Sequence, residues 1–148
     1  MEKKFKLYIL SDDMLDICVD LFIDTFSKEP WNDVYDSKKQ VVDFFENHIK
    51  NNYFVGYVLK DDDDVVALSI GSKKPWIKGM EYYIDQLCVK ADMQGLGIGS
   101  QFLRLICEDI KLQGMNAIIL NTEKGFPSEK FYLKNGFTAL DELVVLAL

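Results

Sequence analysis

Apolar and polar positions along the chain change period several times, and each change marks an element. Residues 5–10 form a short apolar run that predicts a first strand. Ser11, Asp12 and Asp13 then offer an N-cap and two acids to a helix start. Met14, Ile17, Cys18, Leu21, Phe22 and Phe26 follow at helical spacing, so this helix has one buried stripe and ends before Pro30. Ser37 with Gln40 three residues on makes a capping box, and Val41, Phe44, Phe45, His48 and Ile49 continue a second amphipathic helix. Residues 53–59 and 65–70 are rich in β-branched and aromatic side chains. The acidic run between them, 61–64, is a solvated hairpin tip.

A loop with Lys73, Lys74, Pro75, Trp76 and Gly79 leads to a strand over 81–89 and, through a glycine-rich turn, to a helix over about 98–112. Ile98, Phe102, Leu105, Ile106 and Ile110 form that helix's core face, and Gly114 stops it. Residues 117–120 are the next strand. Pro127 and Ser128 open a short helix through Phe131 and Tyr132 that ends at Asn135-Gly136, and 143–148 is a last apolar strand. The 53–70 hairpin is antiparallel and the later strand-helix-strand unit demands a parallel pair, so the sheet is mixed.

Composition narrows the class. With 148 residues and 49% apolar side chains, the chain fits one domain over 1–148 with its own core. Its start has basic residues without a following apolar segment, and no apolar run approaches the roughly 20 residues of a membrane span. Cys18, Cys88 and Cys107 are far apart and lack metal-type spacing, which reads as reduced thiols in the cytoplasm and no metal. The net charge of -7 opposes nucleic-acid binding and suits a cationic small molecule, although surplus acid also serves solubility.

The candidate chemistry begins at Gln94-Gly95-Leu96-Gly97-Ile98-Gly99. Alternate glycines between a strand and a helix turn several backbone N–H groups toward one point, at the positive end of a helix dipole. Ser100 stands where a dinucleotide fingerprint needs its third glycine, and close packing of strand on helix is the other reading.

This turn matches the Q/R-x-x-G-x-G/A motif of the GNAT family of N-acetyltransferases, and Phe131-Tyr132-Leu133-Lys134-Asn135-Gly136-Phe137 matches its later tyrosine and Gly-Phe element. The second half of the chain therefore resembles that family. Glu29-Pro30-Trp31 and the Tyr-Ile-Asp strand look most like its aminoglycoside 6'-N-acetyltransferase branch. The resemblance implies an α/β (α+β) fold with a mixed sheet of six to seven strands and about four helices, and acetyl-coenzyme A as cosubstrate. It implies coenzyme contacts from Leu87, Cys88 and Val89, from Gln94, Gly95, Leu96, Gly97, Ile98, Gly99 and Ser100, and from Asn121 and Tyr132. A backbone N–H near Leu87 or Cys88 would hold the oxyanion. Gly125 and Ser128 stand where the family often has Asn and Ala, so that asparagine's contact falls to Asn121 or is absent.

Acyl transfer to an amine needs a base, because an alkylamine with a pKa near about 10.4 arrives protonated. Tyr83, Asp85, Leu87 and Val89 share one strand face by period two, which puts a carboxylate on an apolar face and predicts a raised pKa for Asp85. Glu81, four residues back, is the second candidate. Tyr132 is the acid for the departing thiolate by resemblance. Cys88 would need a base to be a nucleophile, and the one histidine, His48, continues an apolar helix face, so transfer is direct. Trp31, Trp76, Tyr82 and Asp85, with the acids Glu29 and Asp33, are candidates for a cation-attracting acceptor pocket. The aromatics equally suit core packing or a homodimer interface. Acetylation of protein or peptide amines, or coenzyme sensing without turnover, are the alternatives to a small amine acceptor.

Overall fold

A computed structural model of the chain describes residues 5–148. Residues 1–4, with part of the basic start, lie outside the described residues. The strands are β1 (Phe5–Ile9), β2 (Phe54–Asp61), β3 (Asp64–Trp76), β4 (Gly79–Val89) and β5 (Ala117–Leu120). The helices are α1 (Leu15–Phe26), α2 (Lys38–Ile49), α3 (Ile98–Leu112) and α4 (Pro127–Lys134). The strands form one sheet in chain order, antiparallel from β1 to β4 and parallel between β4 and β5.

Alternation along the strands feeds two cores. Tyr57, Leu59, Tyr82 and Ile84 point to one face and pack on Phe102, Ile106 and Ile110 of α3 and on Tyr132 of α4. Val58, Leu68, Ile70 and Cys88 point to the other and pack on Phe22 and Phe26 of α1 and Phe45 of α2. The expected stripe of α1 holds except at Ile17, which is exposed; Val19 and Thr25 are buried in addition. The cap of α2 forms as expected, with Gln40 N donating to Ser37 Oγ at 3.2 Å and Asp36 N donating to Gln40 Oε1 at 2.8 Å.

Three expectations need correction. The segment 73–79 is not a loop: β3 runs on to Trp76 and pairs with β4 to the tip at Gly79. Asn116 pins this tip, accepting from Trp76 Nε1 at 3.3 Å and donating to Lys78 O at 2.9 Å. The segment 143–148 is not a strand, and Leu143, Val144, Val145, Leu146 and Leu148 are exposed. Apolar residues favour a strand only where a ladder partner completes it, and none pairs here, so the described residues hold five strands rather than six or seven.

The third correction fixes the site. Ile70 pairs with Gln86 but Gly71 pairs with Ile84, so Asp85 is an extra residue in β4. Beyond this bulge the alternation shifts by one: Leu87 and Val89 join Tyr82 and Ile84 on the α3 face, while Asp85 faces α2. Tyr83, Asp85, Leu87 and Val89 therefore do not share a face. Gly71 makes the bulge possible, since a Cβ there would lie 1.9 Å from Tyr83 O.

Candidate active site

β4 and β5 pair only from Glu81↔Ala117 to Ile84↔Leu120, and the bulge comes one residue later. The two strands then part, and residues 85–89 have no strand partner on the β5 side among the described residues. The gap opens into a cleft of about 500 Å³. Its floor is Ile84, Asp85, Gln86 and Leu87; one wall is Leu120, Asn121, Thr122, Glu123, Ser128 and Tyr132. The other wall comes from α1, α2 and their connection: Phe22, Phe26, Trp31, Asp33, Tyr35, Gln40, Val41 and Phe44. Among the described residues, three carboxylates line it and no Lys or Arg does.

Next to the cleft, β4 delivers the chain to the glycine turn. Gln94 Nε2 donates to Val89 O at 3.0 Å and ties the turn to the strand end. Gly95 and Gly97 both have φ +79°, a region L side chains rarely adopt, and Gly97 is the N-cap of α3. No side chain caps this helix, and its first turn has no acidic residue. Its first N–H groups are thus left for an external acceptor, at the positive end of the dipole. Leu96 is exposed, Ile98 buried and Ser100 half-buried. Gly99 lies under Phe131, whose ring would be 2.9 Å from a Cβ. This glycine serves the packing of α3 on α4, whereas Gly95 and Gly97 serve the turn. The arrangement fits a phosphate-bearing coenzyme lying over the turn.

Tyr132 is 9% exposed and lines the cleft, with its ring between Phe131 and Phe137. Burial raises its pKa, so the phenol keeps its proton. Asp85 departs from expectation: a hydrogen bond from His48 holds its carboxyl below the ordinary value, against the opposing effect of burial. His48 Nε2 lies 3.0 Å from Asp85 Oδ2. Sequence reasoning placed His48 at a core edge, because nothing in the one-dimensional pattern shows that α2 packs its end against Asp85 of β4.

Trp31, Asp33, Asp85, Leu87, Asn121 and Tyr132 are brought together in the cleft. Asn121 Nδ2 donates to Tyr83 Oη at 3.0 Å. Glu81, Trp76 and Tyr82 are not among the lining residues. Glu81 is buried beside Lys74, its Oε1 3.8 Å from Nζ. Trp76 belongs to the far hairpin tip. Tyr82 is fully buried, with its hydroxyl 2.6 Å from Ser69 Oγ and 3.3 Å from Val55 O, so it has no surface to offer a substrate. Cys88 faces the α1–α2 core, and burial pushes its thiol up to about 12, far from thiolate. Glu29 also lies outside the cleft lining. Glu123, Tyr35 and Phe44 line it without having been singled out in sequence; nothing in a one-dimensional pattern marks a residue beyond a strand end as part of a wall. No group of three or more His, Cys, Asp or Glu residues suited to a metal occurs among the described residues, and no described helix is long and apolar enough to cross a membrane.

Solved structures share this fold at low sequence identity. A transcriptional regulator from Bacillus halodurans C-125 aligns with TM-score 0.77 and 21% identity over 98% of this chain and 100% of its own. An aminoglycoside acetyltransferase, meta-AAC0020, from an uncultured soil metagenomic sample and in complex with sisomicin, gives 0.75 and 17% over 97% and 95%. Aminoglycoside N-acetyltransferase AAC(6')-Iy in complex with CoA gives 0.77 and 10% over 100% and 97%. No curated protein matches in sequence. The family model described as "Acetyltransferase (GNAT) family" matches residues 15–137, a span that holds the glycine turn, the bulge, the cleft and Tyr132. Acetyl-coenzyme A is the cosubstrate in this family, and the chain belongs to the GNAT acetyltransferases.

Proposed function

We propose that the protein transfers an acetyl group from acetyl-coenzyme A directly to a primary amine of a small cationic acceptor. The observation that carries this reading is the cleft where β4 and β5 part, lined by Asp33, Asp85 and Glu123 and, among the described residues, by no Lys or Arg. Trp31, Tyr35 and Phe44 add ring faces that attract an ammonium. The bound coenzyme supplies a thioester, whose carbonyl is the electrophile. Residues Gln94 to Ser100 hold its phosphates over the start of α3, and backbone beyond Ile84 offers N–H donors to the developing oxyanion.

Asp85 is the first carboxylate an ammonium meets at the floor of the cleft, and its low pKa makes it a binder of the cation. Glu81, buried at the paired end of β4, takes the ammonium's proton through a water and leaves the free amine to attack the thioester. Tyr132, protonated at neutral pH, gives its proton to the leaving thiolate. The protonated thiol of Cys88 and its place in the opposite core favour direct transfer over an acyl-enzyme. Reduced cysteines favour the cytoplasm as its location. The apolar segment 143–148 beside the unpaired edge of β5 favours a homodimer.

The test replaces the acids. In Asp33→Asn with Glu123→Gln, KM for a diamine rises about tenfold while KM for acetyl-coenzyme A stays within about twofold. An unchanged KM for the diamine, or an equal rise for both substrates, removes the cleft as the acceptor site.

A further inference from the structure

We infer that His48 sets the charge of the acceptor subsite, making it the residue through which pH governs the choice between cationic and neutral acceptors. The inference rests on the cleft being the acceptor site and adds a residue that the reaction scheme does not use. His48 Nε2 and Asp85 Oδ2 are 3.0 Å apart, with 25% and 31% of their side chains exposed. The pair is therefore partly shielded, and its charge state is felt more strongly than that of a surface pair. Phe44, which lines the cleft, meets the imidazole edge-on at 4.8 Å and fixes the ring plane. Asp85 stands on the β4 face opposite Ile84 and meets this ring, while the bulge carries Leu87 to the other face.

Two states follow from the geometry. With a neutral imidazole donating through Nε2–H, the pair carries one negative charge, and the carboxylate, which the Gln86 side chain also hydrogen-bonds, draws an ammonium. With an imidazolium the pair carries no net charge, and the ring's repulsion offsets part of the carboxylate's pull on a cation. Imidazole is the side chain whose charge changes between about pH 5 and 8, so proton and acceptor cation compete for one carboxylate. The other ionisable groups around the cleft are Asp33 and Tyr35 from the α1–α2 connection, Glu123 beyond β5 and Tyr132 on α4; Cys88 lies in the core behind the strand. Burial and Asp33 push Tyr35 up to about 12, and burial raises Tyr132, so neither phenol changes charge in this window. The carboxylates would give a pH dependence indifferent to residue 48.

His48→Gln separates these cases, because the amide keeps an N–H donor for Asp85 and cannot be charged. From pH 8 to 5.5, KM for a diamine is expected to rise about fivefold in the wild type and to stay within about twofold in His48→Gln, with KM for acetyl-coenzyme A level in both. An equal rise in both proteins overturns the inference. A second arm needs neither turnover nor a substitution at 48. His48 is the sole histidine, so its ring protons give one identifiable NMR signal. Titrating a diamine without acetyl-coenzyme A shifts this signal in the wild type and leaves it in place in Asp85→Asn; a wild-type signal that ignores the diamine also overturns the inference. If the signal responds but no amine is acetylated, the charge-setting pair stands and the proposed reaction fails.

Discussion

A phenol kept protonated by its surroundings can donate a proton, and Tyr132, the proposed acid, combines that chemistry with a place in the cleft wall. Tyr132→Phe keeps the ring packed between Phe131 and Phe137 and removes only the proton donor. The expected outcome is kcat lower by about 100-fold with acetyl-coenzyme A affinity within about twofold, measured by thiol release and by titration calorimetry. Asp85 supplies a second expectation, in stability. Its carboxyl titrates below the unfolded value, so the pair with His48 stabilises the fold above the ordinary carboxylate range and loses that contribution as pH falls through it. The Tm difference between wild type and Asp85→Asn is therefore full above about pH 5 and shrinks below about pH 4 in thermal melts. At this scale the sequence made Tyr132 and Asp85 legible, Tyr132 by its motif and Asp85 by its chemistry. It hid the direction of Asp85's shift, because the face that Asp85 shares with the α1–α2 core offers it the His48 imidazole, a contact no strand pattern shows.

Among the elements, β4 carries most of the site. Its pairing ends, its bulge and its delivery into the glycine turn all fall within a few residues, so strand geometry and chemistry are one matter. Gly71 opposite the bulge is the point of leverage: a methyl group 1.9 Å from a backbone oxygen forces β3 and β4 apart. Gly71→Ala should lower stability by about 1–3 kcal/mol in urea titrations, and should also weaken the His48–Asp85 contact. Gly97 is different. A Cβ there meets nothing within 4 Å, but φ +79° is strained for any L residue, so Gly97→Ala costs about 1 kcal/mol and weakens acetyl-coenzyme A binding without disturbing a core. Periodicity and turn residues revealed α1 to α4 and strands within β1 to β5, even where, as in β1 and β5, no side chain is fully buried. It extended the pattern wrongly at 143–148, where an apolar run has no ladder, and stopped β3 too early, where Lys73 to Trp76 pair at an exposed hairpin end that no burial marks.

For the whole molecule, two cores clamp one sheet and leave the β4–β5 parting as an open cleft of about 500 Å³ between them. A second groove, about 940 Å³, lies between α3, β5 and the exposed C-terminal segment. Its apolar rim is the proposed homodimer surface, and Leu143→Glu with Val145→Glu is expected to convert a dimer to monomer in light scattering, whereas an unchanged mass excludes this surface. Whether the first cleft takes a small cationic amine is tested by steady-state thiol release from acetyl-coenzyme A across a panel of diamines, polyamines, aminoglycosides, neutral amines and peptides. The account predicts turnover with the multiply charged small amines, at kcat/KM at least about tenfold above neutral amines and peptides. Thiol release no faster than the blank for every small amine, or a preference for peptides, would contradict it.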